Sequence, residues 1–399
     1  MPQSIKGELF PEWGPITFGD MFEEIKQKTS DTEKYPLYSL TIENGVTEKT
    51  ERYERSFLVT KDEDNYKIVP PNAFVYNPMN LRFGALAVNH TGKTVSVSQY
   101  YNVFKMKDES VLPFWENYLV MPSMLRFYFS IATGSLLEKL RVHYSDFVKV
   151  KKTLPSIEEQ RKISEFLSLY DKRITAQATK VVALETRRKG LLQQIFSQEI
   201  RFKADDGSEF LDWEDTMLSD ILTERKLKST GNEEVYSVSV AKGLVNQIEH
   251  LGRSFAAEDT SKYKVVKPGD VVYTKSPTGD FKWGIVKQSM IDKDVIVSPL
   301  YGIFIPKSYA FGFVLDAYFS SSVRAHNYLI TQIRKGAKNT INITNDVFLE
   351  KEICLPTSEE EARKIQAFVE LLDKQIQIEK DKLEAIKKVK KGLLQQMFV

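Results

Sequence analysis

The sequence predicts an α/β protein in which one unit is written twice. Two repeated mixed α/β domains are separated by two long helices, which form an antiparallel coiled coil with pseudo-twofold symmetry. Three observations predict it. The stretch KGLLQQ occurs at 189–194 and again at 391–396. A string of further echoes keeps an offset near 200, from GELFPEW (7–13) against GSEFLDW (207–213) to VSVSQYYNVF (95–104) against VIVSPLYGIF (295–304). Between the echoes, short Val/Tyr/Phe-rich runs alternate with Pro and Gly turns, and each copy closes in a long proline-free segment with heptad spacing.

The closing segments are the most readable. LPSIEEQRKISEFLSLYDKRI (154–174) parallels LPTSEEEARKIQAFVELLDKQI (355–376). Each opens after Leu-Pro with a capping box, Ser156 with Glu159 in the first and Thr357 with Glu360, or Ser358 with Glu361, in the second. Alternating steps of three and four from Leu167 give a seam interrupted by Gln177 and Arg188; from Val369 they give one interrupted by Glu379 and Lys390. Parallel pairing would set Arg188 against Lys390. Antiparallel pairing sets Arg188 against Glu379 and Gln177 against Lys390, with apolar layers such as Tyr170–Met397 and Ile195–Leu372 elsewhere. The four polar residues are therefore expected as polar layers that define the register. Each helix of about 40 residues would be about 60 Å long.

The mixed regions read as short strands (AFVYN, DVVYT) with helical stretches at 114–131 and 311–331. The chain has 399 residues, 42% apolar and 28% charged, with a net charge of +2; this neither announces nor excludes a nucleic-acid partner. The single cysteine, Cys354, rules out an intrachain disulfide and is expected as a buried small hydrophobe in a reducing cytoplasm. The start MPQSIKGELF has no signal pattern, and no run of eighteen apolar residues suits a membrane.

Catalytic chemistry is hard to find. Gly92-Lys93-Thr94 ends like a phosphate-binding loop, but Ala87 stands where its first glycine belongs and a strand pattern follows where a helix is required. A hairpin turn with Lys93 at a basic tip is expected instead. Glu224-Arg225-Lys226 has no partner for a nuclease motif. Asn77-Pro78-Met79-Asn80 lacks the second proline and aromatic of an amino-methyltransferase motif. The four histidines are dispersed, without metal-ligand spacing. No catalytic or metal residue is assigned.

Binding remains. Two similar domains on a helical spacer suit a partner with twofold symmetry of its own, and duplex DNA is the obvious one. The domains diverge where one has NPMNLRFG (77–84) and the other TKSPTGDFKWG (274–284), as two readers of different short sequences would. Candidate DNA contacts are Asn80, Arg82, Lys93, Lys275, Lys282, Arg334, Lys335 and Lys338. Arg82 and Lys282 suit guanine edges, Asn80 suits adenine, and the other lysines suit phosphates.

This architecture resembles the specificity subunit of type I restriction-modification systems. The likeness rests on the two LPxxEEQRKI-like helix openings, the KGLLQQ(I/M)F pair and the entry FKADDGSEFLDW (202–213). It implies target recognition domains at 1–153 and 199–354 and spacer helices at 154–198 and 355–399. It also implies that each domain reads half of a bipartite, gapped site on double-stranded DNA, with the spacer length setting the gap. The chain would be non-catalytic and cytoplasmic. It would recruit two adenine-methyltransferase subunits and further restriction subunits, and S-adenosylmethionine, ATP and Mg would belong to those partners. Gly190 and Gly392, which interrupt helices at a cost of about 1 kcal/mol each, suggest close approach by a partner subunit or by the chain's own opposite domain. The chain termini are expected to lie close together. The alternative is a two-headed coiled-coil scaffold that binds proteins rather than DNA.

Overall fold

A computed structural model describes residues 13–48, 65–136, 139–251, 259–332, 334–335 and 341–397. The chain divides into two compact units. The first comprises Met1–Ala178 and Lys382–Val399, and the second Thr179–Asp381. Both boundaries fall inside the long helices, Ile157–Phe196 and Glu359–Met397. The expected proximity of the termini concerns residues 1–12 and 398–399, which lie outside the described residues.

In the first unit, a four-stranded sheet has the spatial order Phe22–Glu24, Asn102–Met106, Phe74–Tyr76, Leu86–Val88. Lys28–Thr29, Tyr66–Val69 and Val95–Val97 form a three-stranded sheet. Gly14–Thr17 pairs antiparallel with Lys151–Leu154, so the strand that enters the domain is tied to the strand that leaves it for the long helix. In the second unit the four-stranded order recurs as Leu222–Glu224, Gly302–Pro306, Val271–Tyr273, Val286–Gln288, and Glu214–Met217 pairs with Glu352–Leu355. The duplication seen in the letters is a duplication of strand order.

Each core is aromatic. Phe18, Phe22, Phe74, Phe104, Trp115 and Phe147 are buried together in the first unit; Tyr273, Phe304, Phe319, Tyr328 and Phe348 are buried together in the second. The helical stretches expected at 114–131 and 311–331 are each broken in two. The first is Leu112–Leu119 and Pro122–Ile131, because Pro122 stands at a first helical position and has no N–H to continue the preceding helix. The second is Tyr309–Phe319 and Ser322–Leu329, where the Ser321 hydroxyl caps a new start by accepting from the Arg324 amide. Cys354 is half-buried in Glu352–Leu355 rather than fully buried.

The long helices begin as their caps predict. The Ser156 hydroxyl accepts from Glu159 N at 3.3 Å. Ser358, not Thr357, caps the second, accepting from Glu360 N at 3.1 Å and Glu361 N at 3.3 Å. Within the second unit the two helices run antiparallel: Lys180 pairs with Glu379 at 3.1 Å, Glu185 with Lys380 at 2.6 Å, and Arg188 with Asp373. Within the first, Asp171 pairs with Lys390 at 2.7 Å.

The direction is as expected, and the register is not. Arg188 meets Asp373 rather than Glu379, and Lys390 meets Asp171 rather than Gln177, a shift of six residues in each case (379 to 373, 177 to 171). The helix ends explain the shift. Ile163 and Leu167 share the first core with Leu394 and Met397. Leu192 and Ile195 share the second with Ile365 and Val369. Burying these side chains in the domain cores outweighs matching polar seam residues to one another. Long Arg and Lys side chains then reach carboxylates beside the seam. The same ion pair is thereby made once in each unit, since Asp171 and Lys390 occupy the positions of Asp373 and Arg188 in the repeat.

Candidate nucleic-acid interface

The divergent loops are built differently on a common frame. In the first unit, Asn77 Oδ1 accepts from Met79 N at 3.0 Å, and its carbonyl accepts from Asn80 N at 3.0 Å. A short helical turn, Leu81–Phe83, follows; buried Leu81 pins it, and Gly84 ends it at φ 94°. Arg82 lies with its guanidinium carbon 4.7 Å from the Phe83 ring and 5.4 Å from that of Phe129. Both rings are at least half exposed, while Arg82 itself is half-buried, its Nε and Nη1 shielded from solvent, so the rings fix the plane of the guanidinium and leave only part of it at the surface. Asn80 is exposed beside it.

In the second unit the longer loop is tied at its base. Tyr273 Oη donates to the Trp283 carbonyl at 2.7 Å, and Thr274 Oγ1 accepts from Ile285 N at 3.0 Å. Thr278 and Phe281 exchange backbone bonds at 3.0 Å. Trp283 Nε1 donates to His326 Nδ1 at 3.1 Å, so this histidine has a structural partner. Gly284 takes φ 105°, and a Cβ there would meet Lys275 N at 2.8 Å, so only glycine fits. Lys275 adopts φ 61° and is half-buried; burial and then nearby Lys264 pull its pKa down, while Glu224 and Asp346 raise it. Lys282 is exposed.

Lys93 is exposed on the 89–94 turn, which is not the expected hairpin. Leu86–Val88 and Val95–Val97, on either side, belong to different sheets. Buried Asn89 holds the turn by donating to the Val69, Pro70 and Lys93 carbonyls at 2.9, 3.1 and 2.9 Å. Arg334 and Lys335 form a short strand paired with Ile341–Asn342. Lys338 lies outside the described residues.

A cleft of about 770 Å³ in the second unit escaped the sequence reading, because its lining comes from distant stretches. Its cations are largely committed. Lys287 pairs with Asp316 at 2.9 Å, Lys380 with Glu185 and Arg188 with Asp373, while Arg324 donates to the Tyr318 carbonyl at 2.8 Å. Among the described residues, a Cβ added at Gly190 or Gly392 would meet nothing within 4 Å. Among the described residues no group of three His, Cys, Asp or Glu side chains is placed to hold a metal. None of the described helices is long and apolar enough to cross a membrane.

Residues 11–185 match the family of the type I restriction modification DNA specificity domain. Over those residues the chain is similar to the type I specificity domain. The type I restriction enzyme MjaVIII specificity subunit of Methanocaldococcus jannaschii is 27% identical over 270 residues, which cover 62% of this chain and 61% of that protein. The match thus spans less than two thirds of this curated relative. In fold, the chain is similar to the type I restriction-modification S subunit from M. genitalium, with a TM-score of 0.52 at 14% identity, covering 97% of this chain and 96% of that one. A second chain, solved for complex assembly and conformational transition of the type I R-M system, gives 0.52 at 14% identity, with 98% of each chain covered. The four-stranded order of the matched copy recurs in the second unit, beyond the residues matched.

Proposed function

We propose that this chain is the non-catalytic DNA-recognition subunit of a type I restriction-modification complex in the cytoplasm. The regions 1–153 and 199–354 each read one half of a bipartite, gapped site on double-stranded DNA. The observation that carries this reading is the duplicated strand order, joined to a specificity-domain match in the first copy. One frame with two unlike loops, 77–84 and 274–284, is what reading two unlike half-sites requires. Asn80, Arg82, Lys275 and Lys282 are the proposed contacts of those loops, with Lys93, Arg334, Lys335 and Lys338 on phosphates. Two adenine-methyltransferase subunits and the restriction subunits supply S-adenosylmethionine, ATP and Mg chemistry, and Gly190 and Gly392 offer open helix surface for a partner's approach.

The test is genome-wide mapping of adenine methylation with and without this gene. A gapped motif that vanishes with the gene supports the reading, and exchanging 199–354 for a homologous segment should then change only one half of the motif. An active complex with a methylating subunit that still shows no sequence preference would sink it.

A further inference from the structure

The loops of the two units have diverged, yet one charged arrangement is written in both. The first unit has Glu24-Ile25-Lys26-Gln27-Lys28, and the second has Glu224-Arg225-Lys226-Leu227-Lys228. The exposure of the five positions is the same in each: the glutamate and the residue after it are half-buried, and the three that follow are exposed. Lys28 lies on an edge strand, directly opposite Lys67 in the antiparallel ladder. Lys228 stands opposite Lys264 across an antiparallel bridge.

Like charges placed opposite one another across a strand pair are destabilising. Two lysines so placed once would be a local cost. Strand-opposed lysines recur at the equivalent place in two units that otherwise vary their surfaces, and the one glutamate that acts on the inner lysine of each, Glu24 or Glu224, balances one of the two positive charges and leaves the other for an external anion. Core packing does not account for it, since Lys28 and Lys228 are exposed. The opposing lysines are partly dry: burial is the main cause that lowers the pKa of Lys67 and of Lys264, with Glu24 and Glu224 pulling the other way. Lys264 is also fixed in place, its Nζ donating to the Tyr301 carbonyl at 2.6 Å.

Two domains that read different half-sites have one ligand feature in common, the sugar–phosphate backbone. Residues that both share outside the core therefore match phosphates, and residues that differ match bases. Resting on the DNA reading above, we infer that the Lys28–Lys67 and Lys228–Lys264 pairs are equivalent phosphate clamps, each holding the DNA backbone of its own half-site.

The test uses the full chain with the double variants K28Q/K67Q and K228Q/K264Q. Binding is measured between 50 and 200 mM salt on a random-sequence duplex and on a duplex bearing the methylated motif. Each double variant should lose about fivefold affinity per lysine near physiological salt, equally on both duplexes, and the slope of log K against log salt should flatten by about 1.8. The melting temperature should hold or rise, because a repulsion is removed, and K28R/K67R should keep wild-type binding. An unchanged slope overturns the inference, as does a loss confined to the motif-bearing duplex. A fall in melting temperature that accounts for the lost binding also overturns it, by making the lysines structural. Wild-type chain that binds neither duplex would overturn the DNA reading itself, which separates that failure from failure of the clamps alone.

Discussion

Where the first unit sets half-buried Ile25 and buried Ala73, the second sets half-buried Arg225 and buried Asp270. The positions are equivalent by their backbone bonds. Ile25 N donates to the Val103 carbonyl and Arg225 N to that of Ile303; the Ala73 carbonyl accepts from Asn89 N and the Asp270 carbonyl from Ser289 N. In the second unit Arg225 Nε and Nη2 reach the two Asp270 oxygens at 2.6 and 2.9 Å, and Lys267 N donates to Asp270 at 2.8 Å. Asp270 is only 2% exposed. One sheet frame thus accepts either an apolar pair or a bidentate ion pair, because the ladder bonds that define the frame do not depend on which side chains fill it. A buried ion pair need not stabilise more than its apolar counterpart, but half of one is costly.

The largest effect should come from breaking that pair. Asp270→Ala leaves a half-buried guanidinium without its carboxylate and should cost about 3 kcal/mol, the low end for a fully buried pair, in chemical denaturation of the second unit. Adding Arg225→Ile copies the first unit and should recover most of the loss; no recovery would mean that the two frames are not interchangeable there.

Next is the residue that anchors the 89–94 turn. Asn89→Ala strands buried carbonyls and should cost about 2–3 kcal/mol. Ser289→Ala, at the equivalent place, should cost close to nothing, since the Ser289 hydroxyl has no hydrogen-bond partner among the described residues. Arg82→Ala should relax specificity in one half-site alone, by about 2 kcal/mol of discrimination. Equal loss on unrelated DNA would make Arg82 a backbone contact.

The repeated helix pair should matter less. Reversing Asp373 to Arg places it against Arg188 and should cost about 0.5–1 kcal/mol, because both side chains are partly exposed. Arg188→Asp in the same chain should restore stability, whereas Glu379→Arg with Arg188→Glu should not. The smallest effect is a pH dependence at His90 in the first unit. His90 Nε2 lies 2.7 Å from Glu116 Oε1, and this hydrogen bond, opposed by burial, raises its pKa above the usual 6.5. A raised folded pKa gives stability that is complete below the unfolded value and lost as pH rises through the folded one. Met290 stands at the equivalent place in the second unit. His90→Met should therefore lower the first unit's melting temperature slightly near pH 5.5 and leave it unchanged near pH 8.5.

The closing turns of the two divergent loops were legible because their signals are local. Phe83-Gly84 and Trp283-Gly284 could be aligned by eye, and both glycines take left-handed conformations that close their loops. The Arg82 stack was not legible, since Phe129 comes from a helix far along the chain. Nor were the lysine pairs, which depend on strand register: nothing in EIKQK shows that Lys28 will face Lys67.

By itself the sequence determined the duplication, the strand-rich character of each copy, the cap at Ser156, and helices too long for one domain, while it left the second cap open between Thr357 and Ser358. Those signals are local or periodic, so they can be read without knowing what meets what. The tertiary structure decided the coiled-coil register, the partners of Arg188 and Lys390, and the breaks at Pro122 and Ser321 within apolar runs. A heptad repeat is consistent with any shift of one turn pair. Choosing among the shifts requires the energy of burying Ile163, Leu167, Ile195, Ile365 and Val369 in the domain cores, and that burial exists only once the chain has folded.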